Sequence, residues 1–226
     1  PSQGVWGQPE FCAAGERRLR QAPVEVRQDC RRYRGVDADA EYLSAAAVAE
    51  DFDFHGRVMS GEQEQRPRWK RVLDEENDAL GMVLGRIFVS QYFPEASKQR
   101  YTAMVEAIRG TFRDRIERLD WMGAETKARS LAKLAAMRSK VGYPDHWKDY
   151  SALSVGRASY AANMMAASRW QFQDNLAKFG RPVDRNEWEM TPQTYQAYYN
   201  PSNNEIVLPA AIFTVPGVAN ADVDDA

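Results

Sequence analysis

Side chains able to do acid–base, nucleophilic or metal chemistry are few in this chain. It has two histidines, His55 and His146, and two cysteines, Cys12 and Cys30. The histidines stand far apart in no metal-ligand spacing, whereas a catalytic zinc takes three protein ligands on rigid supports. No H-E-x-x-H occurs. Neither histidine lies near a Ser/His/Asp or Cys/His arrangement, and no Gly-rich phosphate loop follows a strand pattern. Two cysteines make no disulfide framework, and free thiols are the expectation. Asp222, Asp224 and Asp225 cluster at the end of the chain, where solvation outweighs cation binding. On these residues the chain is expected to hold no catalytic group and to bind no zinc of its own.

The remaining chemistry is hydrogen bonding, and it concentrates between Trp188 and Phe213, WEMTPQTYQAYYNPSNNEIVLPAAIF. Pro192, Asn200-Pro201 and Ser202-Asn203 punctuate this stretch as turns. Between them, Tyr195 to Tyr199 and Glu205 to Leu208 are runs of strand formers. The pattern predicts a hairpin. An open hairpin edge would present unpaired N–H and C=O groups to an extended peptide; the alternative is an ordinary hairpin that closes a sheet.

That stretch resembles the substrate-binding strand of the neprilysin-like zinc metallopeptidases, which include neprilysin and endothelin-converting enzyme. The family pattern W-x-M-T-P-x-T-V-N-A-Y-Y-x-P-x-x-N-E-I-V-F-P-A-x-I is matched by Trp188, Met190, Thr191, Pro192, Thr194, Ala197, Tyr198, Tyr199, Pro201, Asn204, Glu205, Ile206, Val207, Pro209, Ala210 and Ile212. The family's Asn is replaced by Gln196, which keeps the amide donor and acceptor on an arm one methylene longer. The resemblance implies that Gln196, Ala197 and Tyr198 lie along a peptide cleft. Gln196 would bond substrate backbone, and Ala197 would offer main-chain groups.

The elements that must hold this edge are helical. Ala45 to Asp51 reads as a short helix, followed by Phe52, Phe54 and a turn at Gly56, similar to the family's F-x-F-x-G run. A long helix begins at Arg66-Pro67-Arg68, with Trp69, Val72, Leu73, Leu80, Val83, Leu84, Ile87 and Phe88 on one apolar face. Gly81 and Gly85, four apart, would let another helix approach. After Phe93-Pro94 a second helix carries Tyr101, Met104, Val105, Ile108, Phe112 and Leu119. A third carries Ala128, Leu131, Leu134, Ala135 and Met137 and is stopped by Val141-Gly142-Tyr143-Pro144-Asp145. Leu119 to Leu134 and this V-G-Y-P-D turn also resemble the family. A fourth helix spans Tyr160 to Phe179 and ends at Gly180, before an Arg181–Arg185 linker similar to G-x-P-V-D-R. Residues 1–38 carry loose arginine groups without periodicity or family likeness.

Length and charge narrow the classes. The 226 residues, 44% hydrophobic and 27% charged, are globular in composition. A formal net charge of −2 gives no nucleic-acid footprint. No apolar run approaches the ~20 residues that span a bilayer. The expected fold is mainly α: an unassigned segment at 1–38, a multi-helix lobe at 39–180, then a linker and β-hairpin at 181–226. By the resemblance, that hairpin begins a thermolysin-like α+β catalytic lobe. The chain opens on Pro1 and is expected to be part of a zinc-dependent peptidase. Its partners would be a peptide substrate and the remaining catalytic lobe, with H-E-x-x-H supplied from beyond residue 226. An extracytoplasmic parent is slightly favoured by the family. A non-catalytic helical peptide-binding module is the alternative.

Overall fold

A computed structural model describes residues 22–218. Cys12, the first of the loose arginine groups (Arg17, Arg18 and Arg20) and the terminal aspartates lie outside the described residues. The described chain forms two compact units, one of residues 22–67 with 155–166 and one of residues 68–154 with 167–218. Each is mainly helical.

The first unit opens on helix α1 (Val24–Asp39), in a stretch whose sequence shows no apolar stripe. No α1 residue is buried, and its good helix formers are four arginines, Glu25, Gln28 and Ala38. Ala40–Tyr42 make one 3-10 turn. Helix α2 (Ala45–Asp51) then starts where expected, with Ser44 Oγ accepting from the Ala47 N–H at 3.3 Å. The turn expected at Gly56 is not there. Phe52–Met59 instead continue as a π-helix, and the chain leaves it at Ser60. The Phe52 ring lies over Gly56, where a Cβ would come within 2.4 Å of it, so the glycine serves side-chain packing inside the wide turn.

In the second unit α3 (Arg68–Tyr92) and α4 (Glu95–Arg118) meet at Phe93-Pro94, as the sequence predicts. Helix α5 (Ala124–Ala135) follows. Next comes a strand the sequence did not predict, β1 (Arg138–Gly142). Helix α6 (Tyr160–Ala177) ends close to Gly180, whose φ of +75° fits the expected left-handed stop. The hairpin is β2 (Tyr198–Asn200) and β3 (Glu205–Pro209), so its first strand begins three residues later than Tyr195. The sheet order is β1-β3-β2, with β3 antiparallel to β2 and parallel to β1. It therefore takes one strand from before the 181–185 linker and two from after it.

The core beneath this sheet joins Val89, Phe93, Tyr101, Val141 and Ala210. Phe93 is wholly buried, its ring 6.0 Å from Tyr101 and 6.1 Å from Phe213, both stacked. The predicted stripes are only partly covered: Tyr101 is buried, while Trp69, Leu73, Val83, Ile87, Ile108 and Phe112 stay exposed, as do Phe172 and Phe179, and the buried Val89 lies outside the predicted face.

Gly81 and Gly85 admit a loop, not a second helix. A Cβ on Gly81 would lie 2.6 Å from Thr191 Cγ2, and one on Gly85 would lie 2.6 Å from Pro192 Cδ. Gln193 fixes the contact by donating from Nε2 to Asn77 Oδ1 at 2.6 Å and to the Gly81 carbonyl at 3.0 Å. Leu80, just before the first glycine, has a non-helical φ of −126° that kinks α3. Gly85→Ala should cost about 1–3 kcal/mol, because the fully buried Pro192 ring cannot rotate away. Urea unfolding monitored by tryptophan fluorescence checks this; an unchanged midpoint would mean the loop is not seated there.

Candidate functional site

The predicted edge is built from the docked turn outward. Thr191 and Thr194 close the turn through their hydroxyls at 2.9 Å, and the Thr194 N–H donates to the Thr191 carbonyl at 3.0 Å. From below, the Ala211 N–H donates to the Pro192 carbonyl at 2.9 Å, tying the turn to the chain leaving β3. Gln196 then donates its backbone N–H to the Thr194 carbonyl at 2.9 Å, a tight bend that aims the chain into β2.

Strand β2 is an edge strand. Among the described residues it pairs only with β3, through Tyr198 opposite Val207, Tyr199 opposite Ile206 and Asn200 opposite Glu205. Its outer side therefore has no strand partner among the described residues. Gln196 is exposed, Ala197 is half-buried, and both precede the paired residues. Tyr198 is half-buried with its hydroxyl enclosed. Burial, then the charge of Glu189, pushes its pKa above the ordinary tyrosine value. These three predicted residues are consecutive in the chain, and the structure gives them different exposures.

The hairpin's far end is pinned by asparagines. Asn204 has φ of +48°, accepts from the Tyr199 hydroxyl at 2.8 Å and donates to the Lys133 carbonyl at 2.9 Å. Asn200 Oδ1 accepts from the N–H groups of Ser202 and Asn203. Their side chains shape backbone, which explains why Asn occupies these turn positions. Beneath the sheet, Lys140 Nζ lies 2.9 Å from Glu205 Oε2 and donates to the Glu187 carbonyl at 2.7 Å.

A cavity of about 780 Å³ opens beside the docked turn, lined by Asn77, Met82, His146, Trp147, Trp170 and Trp188 among others. Tyr150 stacks on Trp170 at 4.6 Å, and Lys148 sits 4.9 Å over the same ring. Lys148 pairs with Asp174 at 2.9 Å, and Lys178 pairs with Asp174 and Glu187. Lys148, Lys178, Asp174 and Glu187 thus form one paired network along this wall.

The two histidines take different roles. His146 lines the cavity of the second unit, and His55 in the first unit contacts Asp51 and approaches Asp37. Cys30 is a free, half-buried thiol. Among the described residues, Asp37, Asp51 and His55 are the one group of three metal-ligating side chains that converges. Sequence reasoning missed this group because Asp37 lies on another element. It contains one histidine, so it does not fit the two-histidine ligand pair that a neprilysin-like zinc centre requires.

Residues 1–144 match the description "Peptidase family M13". The chain belongs to that family. The M13 chain is 33% identical over 201 residues to endothelin-converting enzyme-like 1 of Mus musculus, covering 86% of this chain and 26% of that protein. It is 31% identical over 192 residues to neprilysin-11 of Caenorhabditis elegans, covering 81% and 22%. Among solved structures, the Mycobacterium tuberculosis zinc metalloprotease Zmp1 in its open state superposes with a TM-score of 0.82 at 41% identity, covering 91% of this chain and 32% of that one. The M13 chain thus spans between about a fifth and a third of the length of these relatives. Among the described residues, no helix is long and apolar enough to cross a membrane.

Proposed function

We propose that this chain is the N-terminal helical part and the substrate-binding edge of an M13 zinc metallopeptidase that hydrolyses peptide bonds. The observation that carries the reading is the edge strand β2, entered through exposed Gln196 and half-buried Ala197 and held by a turn seated on α3. Gln196 and Ala197 offer amide and main-chain groups to an extended peptide, with Tyr198 continuing the line. Backbone pairing suits a peptidase that accepts varied sequences, because every peptide presents the same donors and acceptors.

Residues 1–226 do not contain a zinc ligand set of the H-E-x-x-H kind. In this reading those ligands belong to the remaining catalytic lobe of the parent protein, which is also this chain's partner. Exposed Trp69, Ile87, Phe112, Phe172 and Phe179 fit a chain that buries further apolar surface against that remainder. In this reading the parent is extracytoplasmic, as the family resemblance implies.

Two measurements test the reading. Purified residues 1–226 should show no chelator-sensitive peptide hydrolysis and retain no stoichiometric zinc after dialysis, while the parent protein should show both. The gene should encode H-E-x-x-H within a few tens of codons after Ala226. A stop codon there, or hydrolysis by the isolated chain, contradicts the proposal; the stop codon would favour a peptide-binding module without catalysis.

A further inference from the structure

A second cluster, in the first unit, has ligand chemistry that the peptidase reading does not use. Asp37 lies near the end of α1, Asp51 is the last residue of α2, and His55 stands in the π-helix that follows. One ligand atom from each lies within 4.8 Å of the other two. His55 Nδ1 is 2.8 Å from Asp51 Oδ1, a hydrogen bond that fixes the ring and keeps the proton on that nitrogen when the imidazole is neutral. Nε2, then the unprotonated nitrogen, lies 4.0 Å from Asp37 Oδ1.

That gap is too long for a hydrogen bond. It is close to the separation of two ligands on one ion, since bonds of about 2.1 Å put tetrahedral neighbours about 3.4 Å apart. A side-chain shift of under about 1 Å would close it. The charge balance points the same way. Neither aspartate has a lysine or arginine partner among the described residues, whereas neighbouring Asp53 pairs with Arg57 at 2.5 Å. The Asp51 side chain is only 13% exposed, so its charge is held near the imidazole with little solvent. A carboxylate behind a metal-binding histidine is the usual means of fixing ring orientation and raising ligand basicity.

We propose that Asp37 and His55 Nε2 bind an exchangeable divalent transition-metal ion, with Asp51 as the carboxylate that orients the histidine. Imidazole with carboxylate suits zinc and its first-row neighbours over calcium or magnesium. Two protein ligands leave the other positions to water, so the ion is labile, unlike a catalytic zinc held by three. His55 is 46% exposed and Asp37 37%, so the ion can enter directly from solvent. This inference does not depend on the peptidase reading.

The test is titration of purified residues 1–226 with zinc chloride, after alkylation of Cys12 and Cys30 to remove thiolate binding. Calorimetry should show one saturable site. Asp37→Asn and His55→Gln should each weaken it at least about tenfold, and Asp51→Ala about 10- to 100-fold. His146→Gln should leave it unchanged. Far-UV circular dichroism confirms that each variant is folded. On the wild-type chain, zinc should move the His55 Nε2 resonance and leave both His146 nitrogens in place, a readout independent of any variant. Absence of saturable binding at millimolar zinc, equal binding by His55→Gln, or equal shifts at both histidines would overturn the proposal.

Discussion

Lys140→Met is expected to destabilise the second unit by about 3–5 kcal/mol, the cost of leaving one partner of a buried ion pair uncompensated. Lys140 and Glu205 side chains are 7% and 1% exposed. Nζ reaches Glu205 Oε2 at 2.9 Å, off the angle of a hydrogen bond, and donates to the Glu187 carbonyl at 2.7 Å. Methionine matches the lysine stem in length but leaves the Glu205 carboxylate buried without a countercharge. The cost is therefore that of a stranded charge, not of a cavity. The double variant Lys140→Met with Glu205→Leu should recover most of the loss, because it removes both desolvated groups together. Urea unfolding of the four proteins closes the cycle. A single-variant loss below about 1 kcal/mol would mean that solvent reaches the pair.

Gly142→Ala is the second large effect, at about 2–4 kcal/mol from two sources. Gly142 ends β1 with φ of +78°, a left-handed conformation that costs an L side chain about 1–2 kcal/mol. A Cβ there would also lie 2.6 Å from Phe93 Cε1. Phe93 has no room to yield, since it is wholly buried among Tyr101, Phe213 and Tyr143. Overpacking at such a site adds about 1–3 kcal/mol. Combining Gly142→Ala with Phe93→Leu separates the two: the clash is relieved and the backbone strain remains. If the pair behaves additively in unfolding midpoints, the close approach to Phe93 is not what requires glycine.

The helices were legible because apolar residues recur at one local period, although among the predicted α3 and α4 faces Tyr101 is buried while Trp69, Leu73, Val83 and Ile87 are exposed. The edge strand was legible through fixed spacing of Thr191, Pro192, Ala197 and Tyr198, although its pairing starts only at Tyr198. Strand β1 was not legible for a physical reason. Lys140 reads as a solvated residue, and only its partner Glu205, on a parallel strand remote in sequence, makes it a core position. Gly81 and Gly85 announced a close approach but not its partner, because a glycine records only the missing Cβ. The turn assigned to Gly56 failed because the Phe52 ring, four residues away, fills the same space. Helix α1 was invisible because it buries no residue. The convergence of Asp37 on His55 is a tertiary fact with no local pattern.

The central claim is that the run from Gln196 into β2 holds substrate, and the kinetics of Gln196→Ala in the parent enzyme address it most directly. The Gln196 side chain is exposed, so alanine should leave the melting temperature unchanged. It should lower kcat/KM by about 0.5–1.5 kcal/mol of transition-state binding, the value of one neutral hydrogen bond. Gln196→Asn, the residue of the family pattern, should retain activity. Unchanged kcat/KM together with a lowered melting temperature would contradict the account and leave Gln196 as a structural element of the hairpin.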